Sequence, residues 1–61
     1  MATDRLLRRR EVEAMTGLSR SSLYAAMAEG RFPRPVRIGL KAVAWRSREI
    51  AEWIEARQEA A

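Results

Sequence analysis

The chain contains no cysteine and no histidine. Without cysteine there is no disulfide to staple a small fold and no thiolate to hold a metal. Without histidine the commonest metal ligand and the commonest general base are both missing. Aromatic residues are few: Tyr24, Phe32, Trp45 and Trp53. Proline occurs only at Pro33 and Pro35, and glycine only at Gly17, Gly30 and Gly39, so the strongest breaks in regular structure fall at few places. No apolar run approaches the roughly 18 residues needed to span a bilayer. The N-terminal arginines are not followed by the apolar stretch of a secretory signal. A soluble cytoplasmic protein with no membrane partner is therefore expected. No glycine-rich phosphate loop is present. Glu49, Glu52, Glu55 and Glu59 read as the wet face of one helix, and no two carboxylates share an apolar setting that would raise a pKa. These absences argue against an enzyme, and against a resident metal, cofactor or small-molecule substrate.

What remains is 61 residues, enough for one domain with a thin core. Hydrophobic residues make up 48% and charged residues 33%, a globular balance. The net charge of +4 is unevenly spread. Met1 to Arg46 holds ten basic and four acidic residues, whereas Ser47 to Ala61 holds two basic and four acidic. Eleven of the twelve cations are arginine, whose planar fork suits phosphates and guanine edges.

Met1 to Asp4 reads as a frayed end, and Leu6-Leu7 as a short edge strand. Val12 and Met15 have helical spacing over about 9–16, with Glu11 in an early turn. Gly17 suits a left-handed C-cap and Leu18 plugs the turn into the core. Ser19 caps a second helix over about 19–29, with Leu23, Ala26 and Met27 as its buried stripe and Gly30 as its stop. Phe32-Pro33-Arg34-Pro35 is not helical. Val36 and Ile38 alternate with Arg37, and Val43 and Trp45 alternate with Ala42, Ala44 and Arg46. With Gly39-Leu40-Lys41 as the turn, residues of about 36–46 form a hairpin with a basic tip. Ser47 caps a third helix over about 47–57, whose Ile50, Trp53 and Ile54 face the core. Helix, turn, helix, hairpin, helix is the order of a small winged helix-turn-helix: mainly α with a small β-hairpin, occupying 1–61 as one DNA-binding domain.

Few residues are left to carry function. Ser19, Arg20, Ser21 and Tyr24 lie away from the buried stripe, near a helix N-terminus where backbone donors and the dipole favour an anion. Arg20 suits a guanine edge and Tyr24 a phosphate oxygen. Plainer roles stand beside these: Ser19 as an N-cap, Tyr24 as partial core, Arg20 as a solvated side chain. Arg34, Arg37 and Lys41 surround the hairpin tip and Arg46 closes its strand. They point to backbone or minor-groove contacts, or to a charged edge that blocks sheet pairing. Arg8-Arg9-Arg10 opposes a helix dipole at the start of the first helix. A nearby phosphate would account for the run, with Arg9 and Arg10 as the candidate contacts, as would simple solvation. Trp45 and Trp53 fall on apolar faces, which favours core over base-stacking platforms.

The run from Leu7 to Ile54 resembles the AlpA-type phage regulators, small relatives of the excisionase and MerR-like winged-helix group. The resemblance rests on Glu11-Val12, on Thr16-Gly17-Leu18-Ser19-Arg20-Ser21 with Leu23-Tyr24, and on Glu29-Gly30-Arg31-Phe32-Pro33-Arg34-Pro35-Val36. Val43-Ala44-Trp45-Arg46 and Trp53-Ile54 complete it. It implies a prophage or mobile-element protein that regulates transcription by binding double-stranded DNA, or an excisionase-like factor that bends attachment-site DNA. Carried over by position, Ser19, Arg20, Ser21 and Tyr24 are recognition-helix contacts, and Arg37 and Lys41 wing contacts. Two departures stand out: Arg9 replaces an apolar residue, and Ala25 replaces a frequent basic one. A single small module makes few base contacts, so a homodimer or a cooperative assembly on DNA repeats is expected. No heptads support a coiled coil, which places any such contacts on the DNA. A third reading, from a different class, is a protein-interaction module using Trp53, Ile54 and the acidic last helix.

Overall fold

Two tryptophans bolt the loop between the second helix and the hairpin to the rest of the molecule. In the computed structural model, which describes residues 4–60, the Trp45 indole N–H donates to the Pro33 carbonyl at 2.9 Å. The Trp53 indole N–H donates to the Arg31 carbonyl at 2.8 Å. Phe32, between those two carbonyls in sequence, is buried, its ring edge-on to Trp53 with centroids 4.9 Å apart. Backbone groups that Pro33 and Pro35 keep out of regular ladders thus find side-chain partners.

The element order is β1 (Leu6–Leu7), α1 (Arg9–Thr16), α2 (Arg20–Ala28), β2 (Val36–Arg37), β3 (Val43–Arg46) and α3 (Ser47–Glu55). The strands form one antiparallel sheet in the order β1-β3-β2, so the expected hairpin is joined by the N-terminal strand. Leu6 pairs with Arg46 and Leu7 with Trp45 on one edge; Val36 pairs with Ala44 and Arg37 with Val43 on the other. Leu7, Val12, Leu23, Ala26, Phe32, Trp45 and Ile50 make the core, with Leu18, Met27 and Trp53 packed against it. Every element except the short β2 sends at least one side chain into it.

Local chemistry sets the ends. Gly17 closes α1 at φ 76°, its N–H donating to the Glu13 carbonyl at 2.8 Å. The Thr16 hydroxyl donates back to the Val12 carbonyl and accepts the Leu18 N–H, which tightens the turn. Ser19 caps α2 in extended geometry, its Oγ accepting the Ser22 N–H at 3.2 Å. At the far end the Arg31 N–H reaches the Ala26 carbonyl and the Gly30 N–H the Met27 carbonyl, around Gly30 at φ 75°. That is a Schellman motif, and it requires the left-handed residue that glycine supplies.

Several expectations need correcting. Ser47 does not cap α3. Arg46, still in β3, is the flanking residue and contributes no side-chain cap, because strand passes directly into helix. The cap comes from Asp4, the one residue of the expected frayed end Met1 to Asp4 that is described, the other three lying outside the described residues: its carboxylate accepts the Arg48 N–H and the Ser47 hydroxyl, both at 2.9 Å. Ser47 Oγ in turn accepts the Arg5 N–H at 2.8 Å, and the Ser47 N–H donates to the Arg5 carbonyl at 2.7 Å. Met15, whose spacing from Val12 marks the helix, is 47% exposed while Val12 is buried. A three-residue step turns it about 60° from Val12, and an eight-residue helix over a thin core buries only the one direction. Ile54 likewise rolls out while Ile50 is buried. In β3 the alternation fails: Val43 is exposed and Ala44 is buried beside Trp45. Ala44 lies on the middle strand opposite Val36, where a one-carbon side chain is hidden by its neighbours.

Candidate nucleic-acid interface

The outward face of α2 holds Arg20, Ser21, Tyr24, Ala25 and Ala28, all exposed. No carboxylate occurs between Ser19 and Ala28, so nothing on this helix competes with an incoming anion. Ser19 is committed to the cap, and its hydroxyl also donates to Ser22 Oγ at 3.0 Å. The Arg20 guanidinium lies 5.9 Å from the Tyr24 ring centroid, a cation–π arrangement, and has no carboxylate within ion-pair distance among the described residues. Tyr24 is 42% exposed, which leaves its ring partly packed and partly open to the surface. Tyr24, Met27, Ala28, Arg34 and Pro35 line a shallow cleft of about 390 Å³, which joins α2 to the loop ahead of the wing.

Pairing divides the cations into two groups. Arg5 pairs with Glu11 at 3.1 Å, Arg31 with Glu29 at 2.6 Å, and Arg46 loosely with Glu49 at 4.0 Å. Arg9 pairs with Glu13 one helical turn away, and both side chains are largely covered. The Arg57 guanidinium stacks over Trp53 at 4.1 Å and donates to the Trp53 carbonyl. Among the described residues, Arg8, Arg10, Arg20, Arg34, Arg37, Lys41 and Arg48 have no carboxylate within ion-pair distance. Of the residues expected to meet DNA, Arg10, Arg20, Arg34, Arg37 and Lys41 are thus available, while Arg9 and Arg46 already have partners. Arg8, the first residue of the basic run noted in the sequence, has no carboxylate partner either. It precedes α1, and its backbone N–H donates to the Glu11 carboxylate at 2.9 Å.

The dipole problem posed by the Arg8-Arg9-Arg10 run is answered from inside the chain. Glu11 sits in the first turn of α1 and accepts from Arg8 and Arg5, while Glu13 takes Arg9. On the wing, Arg37 is 3.2 Å from the Leu40 carbonyl, to which it donates across the turn. The tip itself is Leu40, 93% exposed, with Lys41 beside it.

A second shallow cleft, of about 550 Å³, is lined by Pro33, Arg34, Arg46, Glu49, Glu52 and Trp53. It mixes both charge signs. Among the described residues no group of three metal-ligating side chains comes together. No helix among them is long and apolar enough to cross a membrane.

Two comparisons bear on this arrangement. The chain is similar to the uncharacterized protein ORF88 of Enterobacteria phage P4, with 43% identity over 54 residues. The match takes in 88% of this chain and 61% of that protein, so the chain spans about three-fifths of the relative's length. The family described as prophage CP4-57 regulatory protein (AlpA) matches residues 5–58, from the start of the sheet to beyond α3. The chain belongs to that AlpA family of prophage regulatory proteins.

Proposed function

We propose that this protein is a sequence-specific double-stranded DNA-binding regulator of a prophage or mobile element. In this reading α2 enters the major groove and the β2–β3 wing lies on the backbone or in the adjoining minor groove. The observation that carries it is the acid-free outward face of α2, where Arg20, Ser21 and Tyr24 stand exposed beside Arg34. An α-helix fits the major groove, and an arginine fork reads guanine there bidentately. Ser19 and Ser21 flank the helix start, where backbone N–H groups meet phosphates. Arg10, Arg37 and Lys41 supply charge on either side of α2 in sequence. Family membership supports a regulatory role. With so few base-reading groups, two copies on repeated half-sites are needed for tight operator binding.

The test is a fluorescence-anisotropy titration against two duplexes at several salt concentrations. One duplex is intergenic DNA beside its own gene, the other a scrambled duplex of equal composition. A preference for the native duplex that persists at physiological salt is expected. Equal, steeply salt-dependent binding to both would reduce the site to a basic surface. No binding to either by folded protein would move the function to the protein-interaction reading.

A further inference from the structure

Leu40 is the most exposed large apolar side chain among the described residues, at 93%. A single exposed leucine on a protein surface is ordinary. This one stands at the extremity of a hairpin, and its setting is specific. Ile38, just past β2, and Val43, the first residue of β3, are also exposed, at 43% and 39%. No carboxylate occurs between Glu29 and Glu49, a stretch that holds Arg31, Arg34, Arg37, Lys41, Arg46 and Arg48. The turn is braced: the Ile38 N–H donates to the Ala42 carbonyl at 2.9 Å, and the Arg37 guanidinium donates to the carbonyl of Leu40 itself. The leucine is therefore presented on a stiffened tip, with one cation held against its backbone and another next to it.

We infer that Leu40 is a wedge that enters the minor groove and opens a base step, kinking the duplex. This rests on the DNA-binding reading above and goes beyond it. The chemistry of the tip matches the chemistry of that groove. Its walls are phosphates, which Arg37 and Lys41 complement, and its floor is stacked base edges, between which apolar side chains insert. A partially unstacked step bends toward the major groove and brings more protein surface onto the backbone. The step that yields is a pyrimidine–purine step, since these unstack most easily. A second copy of this chain is a poorer occupant, because the same cations would face each other across the contact.

The experiment uses duplexes of about 30 base pairs, labelled at both ends for energy transfer, with a central TA step or an A-tract in its place. Wild type, Leu40→Ala and Lys41→Ala are compared, each checked for an unchanged melting temperature, as expected for substitutions at exposed positions. Wild type is expected to shorten the end-to-end distance and to favour the TA duplex about ten-fold. Leu40→Ala is expected to bind without shortening it and without that preference. Lys41→Ala is expected to bind more weakly yet still bend the DNA. Equal end-to-end distances for wild type and Leu40→Ala in saturated complexes would overturn the wedge and leave the DNA-binding reading intact. A wild type that binds no duplex overturns both. Self-association lost in Leu40→Ala, measured by sedimentation equilibrium, would assign the tip to a second copy instead.

Discussion

Arg20 and Arg9 carry the same charge in different settings. Arg20 lies over Tyr24 with its fork free, while Arg9 is held by Glu13 and largely covered. Their replacement should therefore separate recognition from stability. Arg20→Ala is expected to cost about 1–3 kcal/mol in operator affinity and to relax preference at one base pair, read by titrating a panel of single-base operator variants. Its melting temperature should stay near that of wild type, since no core contact is lost. Arg9→Ala is expected to cost about 0.3–0.5 kcal/mol of folding stability, the value of a pair one helical turn apart, and to leave the salt dependence of DNA binding unchanged. Urea denaturation reads the first and anisotropy the second. The Arg9 side chain is mostly covered, and Glu13 takes its charge.

At the scale of elements, the beginning of the chain holds the beginning of the last helix. The Asp4 carboxyl sits below its ordinary value of 3.8, chiefly because its charged form accepts the Arg48 N–H and then the Ser47 hydroxyl. Desolvation opposes the shift, and the charges of Arg48 and Arg46 add to it. A carboxyl lowered on folding stabilises the fold fully above its unfolded value, and that contribution fades as pH falls through the lower folded value. Asp4→Ala is accordingly expected to melt below wild type at pH 7, and the gap should close as pH drops well below 3.8. A gap independent of pH would mean that the carboxylate is not the cap. Sequence reasoning missed this contact because it joins residues far apart in the chain, and Ser47 offered an adequate local cap. Most element bounds were legible because their signals are local: Gly17 and Gly30 demand positive φ, Ser19 caps, and the prolines exclude helix. Burial on β3 was not legible. Strand alternation assumes one wet face, and β3 became a middle strand once Leu6–Leu7 joined it. For the candidate interface, the sequence pointed to the α2 face and the wing, but not to which arginines the chain uses internally.

At the scale of the whole molecule, the thin core and the charge pattern each set a limit. A domain of this length is stable by about 3–9 kcal/mol, at the usual stability per residue. Trp45 is fully buried and also anchors the Pro33 carbonyl. Trp45→Ala, at a typical cost of about 3–5 kcal/mol, should leave a substantial unfolded population, visible as a lost thermal transition by circular dichroism. The charge pattern sets the second limit, and it can be counted. Twelve cations would give a very steep salt dependence if all met phosphates. Pairing removes Arg5, Arg9, Arg31 and Arg46, and Arg57 is occupied by Trp53. Of the seven that remain, Arg10, Arg34, Arg37 and Lys41 meet phosphates in the proposed mode and Arg20 reads a base, while Arg8 and Arg48 stay outside the contact. Each neutralised phosphate releases close to one counterion, so log K should fall against log salt with a slope of about −3.6 per protomer. Lys41→Ala should bring that slope to about −2.7 on every sequence alike. A wild-type slope steeper by several units would mean that the internal pairs open on binding and that the paired arginines also reach the backbone. A slope near that of a single contact would mean that the wing does not touch DNA, and would leave α2 alone to hold the complex.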